Sequence, residues 1–552
     1  MKKVYTIIFT VILSVQWASS QTNVSGFINA NTTWTLAGSP YIVTGNALLS
    51  QGFTLTIDPG VVVKFGTNNA LQIDGQLIAI GTPAQRITFT SNQASPQPGD
   101  WAKLHFSDFS VDAVYNAQGN YVSGTIMKYC DVLYGGSLMW GSIDIQQCSP
   151  YFNHCNIKYG SWCGINFNGD HLTVDSSWIT DFPKRGVYYQ GGPYTFRNDT
   201  INSCAEGAIH IAGSSGVGRS RITHSYFRWN YGVLSGSNNH TTIMNSTFIY
   251  NAGPAVLSMG GNDTVSCNRF RYNSNGPVLE FQGTTDSGSV IHNNIIEYNV
   301  NTLASSWNGA SVFYISGGYD TLFISRNTIR HNSSPGKSCC FFSVQFSGAP
   351  NTLQMYNNSC TENDGESFMR FWGPQTNDPS FDFMYLDSNT FINPLCTYEL
   401  YNSVPYGSPN FFVEGNYWGN SNTSYIDGVI YDYFDFANQS VVYYMPILTA
   451  PVVVDTSCQS FQLPLGVEEN PARTYGVMLY PNPAGSEFVV HSALFSHTEE
   501  FVLYNPLGEE VLRVSLENPD QVIPCEGLSA GIYFYSVLSE GEVVGSGKLI
   551  KE

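Results

Sequence analysis

Along most of this chain apolar and polar residues alternate in short runs, and Gly, Pro, Asn and Asp stand between the runs. Phe53-Thr-Leu-Thr-Ile57 alternates cleanly, Asp58-Pro-Gly60 turns the chain, and Val61-Val-Val-Lys-Phe65, Leu71-Gln-Ile73, Gln76-Leu-Ile-Ala-Ile80 and Ile87-Thr-Phe-Thr90 follow. Period-two alternation bounded by turn formers predicts short β-strands. No 3.6-residue periodicity is visible, and Asn and Gly are too frequent for stacked helices.

A second, longer period overlies the first. Ser225-Tyr-Phe-Arg-Trp-Asn230 returns as Ser246-Thr-Phe-Ile-Tyr-Asn251, Asn268-Arg-Phe-Arg-Tyr-Asn273 and Asn294-Ile-Ile-Glu-Tyr-Asn299. A small polar residue opens each copy, a large apolar residue sits third and Asn closes it. The starts at 225, 246, 268 and 294 give steps of 21, 22 and 26 residues. Earlier copies begin at Cys130, Cys155, Ser177 and Asp199; later ones begin at Asn327, Asn358, Asn389 and Asn416, with steps of 33, 31, 31 and 27 from Asn294. A repeat in this range marks a solenoid. About 22 residues make a coil of three short strands and three turns, with coils stacked ~4.8 Å apart. The third position then fills the interior, the opening Ser/Asn bonds its counterpart above and below at a turn, and the longer coils carry inserted loops. The expected fold class is all-β: a parallel β-helix over 21–450, a Pro-bearing linker over 451–474, and a small immunoglobulin-like β-sandwich over 475–552. Tyr417-Trp-Gly419 and Val441–Leu448 are expected to close the helix end, since a solenoid must cover its open ends.

Composition changes the picture at three points. The net charge of −19, with no Lys/Arg cluster, argues against nucleic acid as a partner. Met1-Lys2-Lys3 before the apolar run Val4–Trp17, with Ala18-Ser19-Ser20 after it, reads as a signal peptide over 1–20 cleaved before Gln21. That run is short of the ~20 residues that span a bilayer, so no transmembrane anchor is expected. Twelve Cys in an exported chain would suggest disulfides. Cys130 and Cys155, however, hold the same opening position of the phrase, which makes them stacked core residues, while Cys339 and Cys340 are candidates for a bridge. No Cys or His spacing fits a zinc site, and neither a metal nor another cofactor is expected.

The strand after each phrase offers the face to search. Gly164-Ile-Asn-Phe-Asn-Gly169, Gly186-Val-Tyr-Tyr-Gln-Gly191 and Phe368-Met-Arg-Phe-Trp-Gly373 are examples. Alternation sends Ile165/Phe167, Val187/Tyr189 and Met369/Phe371 inward and the other parity outward. Asn166, Asn168, Ser316 and Ser347 then face solvent beside nine candidate ligand-binding residues: Tyr188, Gln190, His210, Glu280, Gln282, Tyr314, Gln345, Arg370 and Trp372. Amides and aromatic rings repeated at coil spacing suit an extended glycan, whose hydroxyls meet amides and whose ring faces meet Tyr and Trp. Catalytic residues are not identifiable. Hydrolysis of a glycosidic bond needs two carboxylates within roughly 5–9.5 Å, and this face shows one, Glu280. His210 and Arg370 are separated by several coils.

Two resemblances add to this reading. Ile57-Asp-Pro-Gly-Val-Val-Val-Lys-Phe65, Leu71-Gln-Ile-Asp-Gly75 and the repeat phrase resemble secreted right-handed parallel β-helix proteins of the pectate-lyase-like and NosD-like kind, over roughly residues 40 to 450. Leu479-Tyr-Pro-Asn-Pro483, Tyr504-Asn-Pro-Leu-Gly508, Leu528-Ser-Ala-Gly-Ile-Tyr-Phe534 and Gly547-Lys-Leu-Ile-Lys551 resemble the C-terminal sorting domain of the type IX secretion system of Bacteroidetes. The second implies a secreted or cell-surface location, with the translocon and a sortase-like peptidase as partners. Asp199-Thr-Ile, Asp263-Thr-Val and Asp320-Thr-Leu resemble Bacteroidetes O-glycosylation acceptors, although such triplets also arise at strand starts. The expected function is polysaccharide binding or a non-catalytic adhesion role. A polysaccharide lyase or glycoside hydrolase working in the same groove is the alternative.

Overall fold

The computed structural model describes residues 21–454 and 477–551, apart from the internal segments 138–140, 213–218, 237–239, 254, 260–261, 283–287, 303–309, 317–320, 336–338, 346–351, 373–382, 406–410, 481–483, 493–498, 506–508, 519 and 540–541. The expected signal peptide and nearly all of the expected linker lie outside the described residues. The chain divides into two compact units, Met1–Phe461 and Gln462–Glu552.

The first unit is a parallel β-helix. One coil runs through strands Leu172–Asp175, Trp178–Phe182 and Arg185–Gly191, and the next through Tyr194–Arg197, Thr200–Cys204 and Gly207–Ile211. Each strand pairs in parallel with its equivalent one coil on, as in Ile179↔Ile201, Val187↔Ile209 and Val174↔Phe196. Three sheets result. A back sheet of 16 strands runs from Thr32–Trp34 to Val442–Tyr443. A ladder sheet holds the short strands of the repeat phrase, and a long-strand sheet follows it in every coil. These two join where Tyr41–Leu49 pairs with both Val62–Phe65 and Leu71–Ile73.

The phrase residues fill the positions that the sequence pattern assigns them. Third-position side chains stack up the interior, with Phe227 and Phe248 centred 5.0 Å apart and Phe248 and Phe270 4.6 Å apart. Trp418 extends this column at the C-terminal end, 5.0 Å from Phe391 and buried. Cys130 and Cys155 are free, buried and adjacent in the stack, as expected. Among the described residues Cys148, Cys163, Cys204 and Cys525 are free as well, and Cys267 is disulfide-bonded. Cys339 and Cys340 carry no described side chain.

Between the back and ladder sheets runs the expected polar ladder. Ser225 N–H donates to Ser246 Oγ at 3.1 Å, Ser246 to Asn268 Oδ1 at 2.9 Å and Asn268 to Asn294 Oδ1 at 3.0 Å, and the chain of bonds continues through Asn327, Asn358 and Asn389 to Asn416. Asp199 and Asp263 are buried members of such bonded columns, accepting from Ser177 N–H and Thr241 N–H, so two of the three acceptor-like triplets have a structural role. Asp320 lies outside the described residues.

A second ladder, unforeseen in the sequence, runs through the closing Asn of each phrase. Asn230, Asn251, Asn273, Asn299, Asn332, Asn363 and Asn393 each pass an N–H to the next side-chain oxygen, and Glu399 accepts the last. Within it, Asn299 Oδ1 accepts from both nitrogens of Asn273 while its Nδ2 donates to Phe270 O and Asn332 Oδ1. Every polar atom of the buried amide is thereby used, which burial requires. The residue before each ladder position from Asn230 to Asn363 has positive φ, including Trp229 (55°), Tyr250 (54°), Tyr272 (55°), Tyr298 (57°) and His331 (54°). The left-handed region costs such side chains roughly 1–2 kcal/mol. Ladder bonds, and ring stacking of Tyr250 on Tyr272 at 5.2 Å, offset it.

Ladders also decide where the chain can grow. From the strand Tyr151–Asn153 to the strand Phe383–Asp387, two residues join the back sheet to the ladder sheet in every coil, as in Asp175–Trp178, Met244–Thr247 and Asp387–Thr390. The connection from the long-strand sheet to the back sheet instead varies from Gly191–Tyr194 to Gln282–Ser289 and Trp372–Phe383, and the connection into the long-strand sheet reaches Asn299–Phe313. All this length borders the long-strand sheet.

The second unit has two antiparallel sheets, one of Val477–Tyr480, Glu487–Ser492 and Asp520–Pro524, the other of Glu499–Tyr504, Glu510–Ser515, Gly531–Ser539 and Glu542–Lys551. Phe488, Val490 and Ile523 from the first share one core with Phe501, Tyr535 and Leu549 from the second.

Two outcomes follow from the ladders. Asn299→Ala strands the Asn273 donors and Phe270 O, and should lower unfolding free energy by roughly 2–4 kcal/mol. Asn299→Ser, which keeps an acceptor as Ser246 does in the first ladder, should cost less; urea unfolding followed by circular dichroism ranks them. Burial raises the Glu399 carboxyl from 4.5 to about 7, against opposing bonds from Asn393. A folded-state value above the unfolded one favours the protonated form, so this contribution is complete below about pH 4.5 and is lost as pH rises to about 7, on the order of 3 kcal/mol. Glu399→Gln should flatten the stability profile over that window; an unchanged slope would refute the assignment.

Candidate functional site

The outward positions of the long-strand sheet form two rows, because strand alternation and parallel register put equivalent side chains above one another. The first row reads Gln72, His105, Asp144, Asn166, Tyr188, His210 and Ser235, coil after coil. It continues as Ser258, Glu280 and Tyr314, and farther on as Arg370, Tyr401 and Tyr431. The second row carries Gln146, Asn168 and Gln190, and later Gln282, Ser316, Gln345, Trp372 and Ser403. All nine predicted residues therefore belong to one sheet. The side chains of Gln282, Gln345 and Trp372, and the whole of Ser347, lie outside the described residues.

Two clusters of aromatic and cationic groups stand in the first row. Tyr188 stacks on His210 at 5.5 Å, the Arg185 guanidinium lies 5.7 Å from the Tyr188 ring, and Gln190 Nε2 donates to the Tyr188 hydroxyl at 3.4 Å. His210 Nδ1 meets Ser235 Oγ at 2.9 Å. Burial, helped by Arg185, holds this imidazole below its ordinary pKa, so it is neutral near pH 7. Farther along, the Arg370 guanidinium sits 4.4 Å from the Tyr401 ring, which stacks on Tyr431 at 4.3 Å, and Glu366 pairs with Arg370 at 3.3 Å.

Three residues read as solvent-facing are covered. Asn166 is buried, with Nδ2 donating to Asp144 Oδ1 at 2.6 Å, and Glu280 and Tyr314 are 8% exposed each. Alternation gave their side of the sheet correctly. It could not show that large groups one coil apart shield one another, as adjacent Glu280 and Tyr314 do.

Sequence reasoning missed the upstream end of the row. Asp144 Oδ2 accepts from Lys103 Nζ at 2.6 Å and pairs with His105 Nδ1 at 2.9 Å, while Oδ1 accepts from Asn166 and from Gln146 Nε2 at 3.0 Å. Burial alone would raise this carboxyl, but the bonds from His105, Lys103 and Asn166 hold it well below the usual carboxylate range. Four partners fill the acceptor sites of an ionised carboxylate, leaving none for a substrate proton. The signal was an Asp between two inward Ile in Gly141-Ser-Ile-Asp-Ile-Gln146, in a strand without the terminal Gly of the searched copies. Tyr401 and Tyr431 were missed for the same reason.

Distances along the row limit the chemistry. Asp144 and Glu280 are six coils apart, about 29 Å, and His210 and Glu280 three coils, about 14 Å. Neither pair can act on one glycosidic bond, whose two carboxyl groups stand roughly 5–9.5 Å apart. A ligand that touched both aromatic clusters would extend over seven coils, about 34 Å.

Known proteins agree with this architecture. Residues 163–318 match the family described as right handed beta helix region, residues 26–142 the pectate-lyase like beta helix domain, and residues 478–552 the secretion system C-terminal sorting domain. A 53-residue stretch is 42% identical to Protein bark beetle of Drosophila melanogaster, covering 10% of this chain and 2% of that protein. The chain thus spans a very small part of that relative's length. No solved structure matches. Among the described residues no helix is long and apolar enough to cross a membrane. The sorting domain indicates export through the type IX secretion system to the cell surface or beyond. Its coils, ladders and tail together make this chain a right-handed parallel β-helix protein of the pectate-lyase-like kind that carries a secretion-system C-terminal sorting domain.

Proposed function

We propose that the protein binds an extended polysaccharide along the long-strand sheet, without turning it over, after export directed by its C-terminal domain. The observation that carries this reading is the pair of outward rows. They combine amides and stacked aromatic rings at coil spacing, and they are bordered by the connections that vary in length between coils. Tyr188, Gln190 and His210 form one contact region, and Arg370, Tyr401 and Trp372 the other, with Gln282 and Gln345 between them in register. Glu280 and Tyr314 act from a sheltered position, as a floor. The spacing of carboxylates favours binding over hydrolysis. Export in this scheme begins with removal of the signal peptide 1–20. It ends with cleavage of 475–552 by a sortase-like peptidase in a Bacteroidetes cell.

The secreted protein, presented with neutral and uronate-containing glycans, should bind at least one without release of unsaturated products or reducing ends. Tyr188→Ala and Trp372→Ala should each weaken that binding tenfold or more; turnover would overturn the non-catalytic reading. Deletion of 475–552 should leave the protein in the periplasm, and surface display of the truncated form in fractionated cells would count against the export route.

A further inference from the structure

The ladder sheet carries a feature that polysaccharide binding on its neighbour does not use. In register along its second outward column stand Arg228, Ile249, Arg271, Glu297 and Arg330, one per coil. At the adjoining corner Tyr250 stacks on Tyr272 at 5.2 Å, Tyr272 meets Tyr298 at 5.4 Å, and Tyr298 stacks on His331 at 4.8 Å. Guanidinium groups layer on these rings. That of Arg228 lies 3.4 Å from the Trp229 ring centre and 5.5 Å from Tyr250, and that of Arg271 lies 4.5 Å from Tyr272 and 5.3 Å from Tyr298.

The charges do not cancel. Glu297, 1% exposed at its side chain, takes Arg269 on Oε1 at 2.7 Å and Arg330 on Oε2 at 2.8 Å, with Arg271 Nε 3.5 Å from Oε1. Four arginines (228, 269, 271, 330) against Glu297 and the nearby Glu362, which meets His331 at 2.9 Å, leave two positive charges. This stands out on a chain of net charge −19. Arg269 and Arg330 keep 49% and 47% of their side chains exposed. The Arg228 Nε is buried without a hydrogen-bond partner.

With the ring faces turned to one another, the corner offers a ligand the N–H donors of guanidinium groups. Guanidinium groups donate only, and their planar fork fits carboxylate and sulfate oxygens in pairs. Arg228, Arg271 and Arg330 recur every second coil, about 9.6 Å. That rise suits a polymer bearing one anionic group per disaccharide. We infer that the ladder sheet around Glu297 is a second binding site, specific for an extended anionic polysaccharide carrying carboxylate or sulfate groups.

The full-length secreted protein, titrated with polygalacturonate, heparin and neutral dextran, tests this. Binding to one polyanion, weakened at least tenfold between 50 and 500 mM salt as screening predicts, is expected, and the better of the two identifies the anionic group. Arg330→Gln, at an exposed position that leaves Glu297 paired with Arg269, should weaken it about fivefold or more, and Arg228→Gln with Arg330→Gln further. Glu297→Gln should leave it equal or tighter, whereas a site kept by fold integrity alone would lose it. Tyr188→Ala, on the other sheet, should leave polyanion binding unchanged. The inference fails if neither polyanion binds, if the folded Arg variants bind like wild type, if Tyr188→Ala removes the binding, or if the same arginines prove to hold two copies of the chain together.

Discussion

The bond that passes a backbone N–H of one coil to an Asn or Ser side-chain oxygen of the next is the constraint on which this structure rests. It recurs along both edges of the ladder sheet, and each link satisfies groups that burial would otherwise leave stranded. Because a link joins equivalent positions, register cannot slip by a residue without breaking the whole column. The αL residue before each position of the first ladder turns the chain within two residues, so the corner between the back and ladder sheets admits no extra length. Long insertions enter instead at the two edges of the long-strand sheet, one of them just beyond the second ladder at Asn299.

That division gives the faces different properties. The ladder sheet is built from near-identical coils, and its outer side chains stack into columns of rings and guanidinium groups. The long-strand sheet, bordered by connections of varying length, has a less regular outer face, with a polar hub at Asp144 and aromatic clusters at Tyr188–His210 and Tyr401–Tyr431. The hub illustrates how charge is held in such a wall. A carboxylate with four partners stays ionised although buried, while Glu399, which has amide donors alone, is pushed towards its neutral form.

The candidate site was legible in part. Alternation placed Tyr188, His210 and Arg370 in one outward row, since parallel register follows once the period is known. It missed Lys103 and His105, whose coil lacks the phrase that guided the search, and Asp144, whose strand lacks the terminal Gly of the searched copies. It also treated outward as exposed, which failed at Asn166, Glu280 and Tyr314. Outward parity is a property of one strand, whereas exposure depends on what the neighbouring coils place beside it.

By itself the sequence determined the parallel β-helix, its interior column and one polar ladder, because each follows from a period and from which residue types tolerate burial. The secretion tail was equally readable, since its motifs are contiguous. The second ladder, the saturation of Asp144 and the cluster of three arginines on Glu297 were decided by the tertiary structure. Each joins residues from different coils, 21 to 41 positions apart, and side-chain reach across a coil boundary leaves no mark in local alternation.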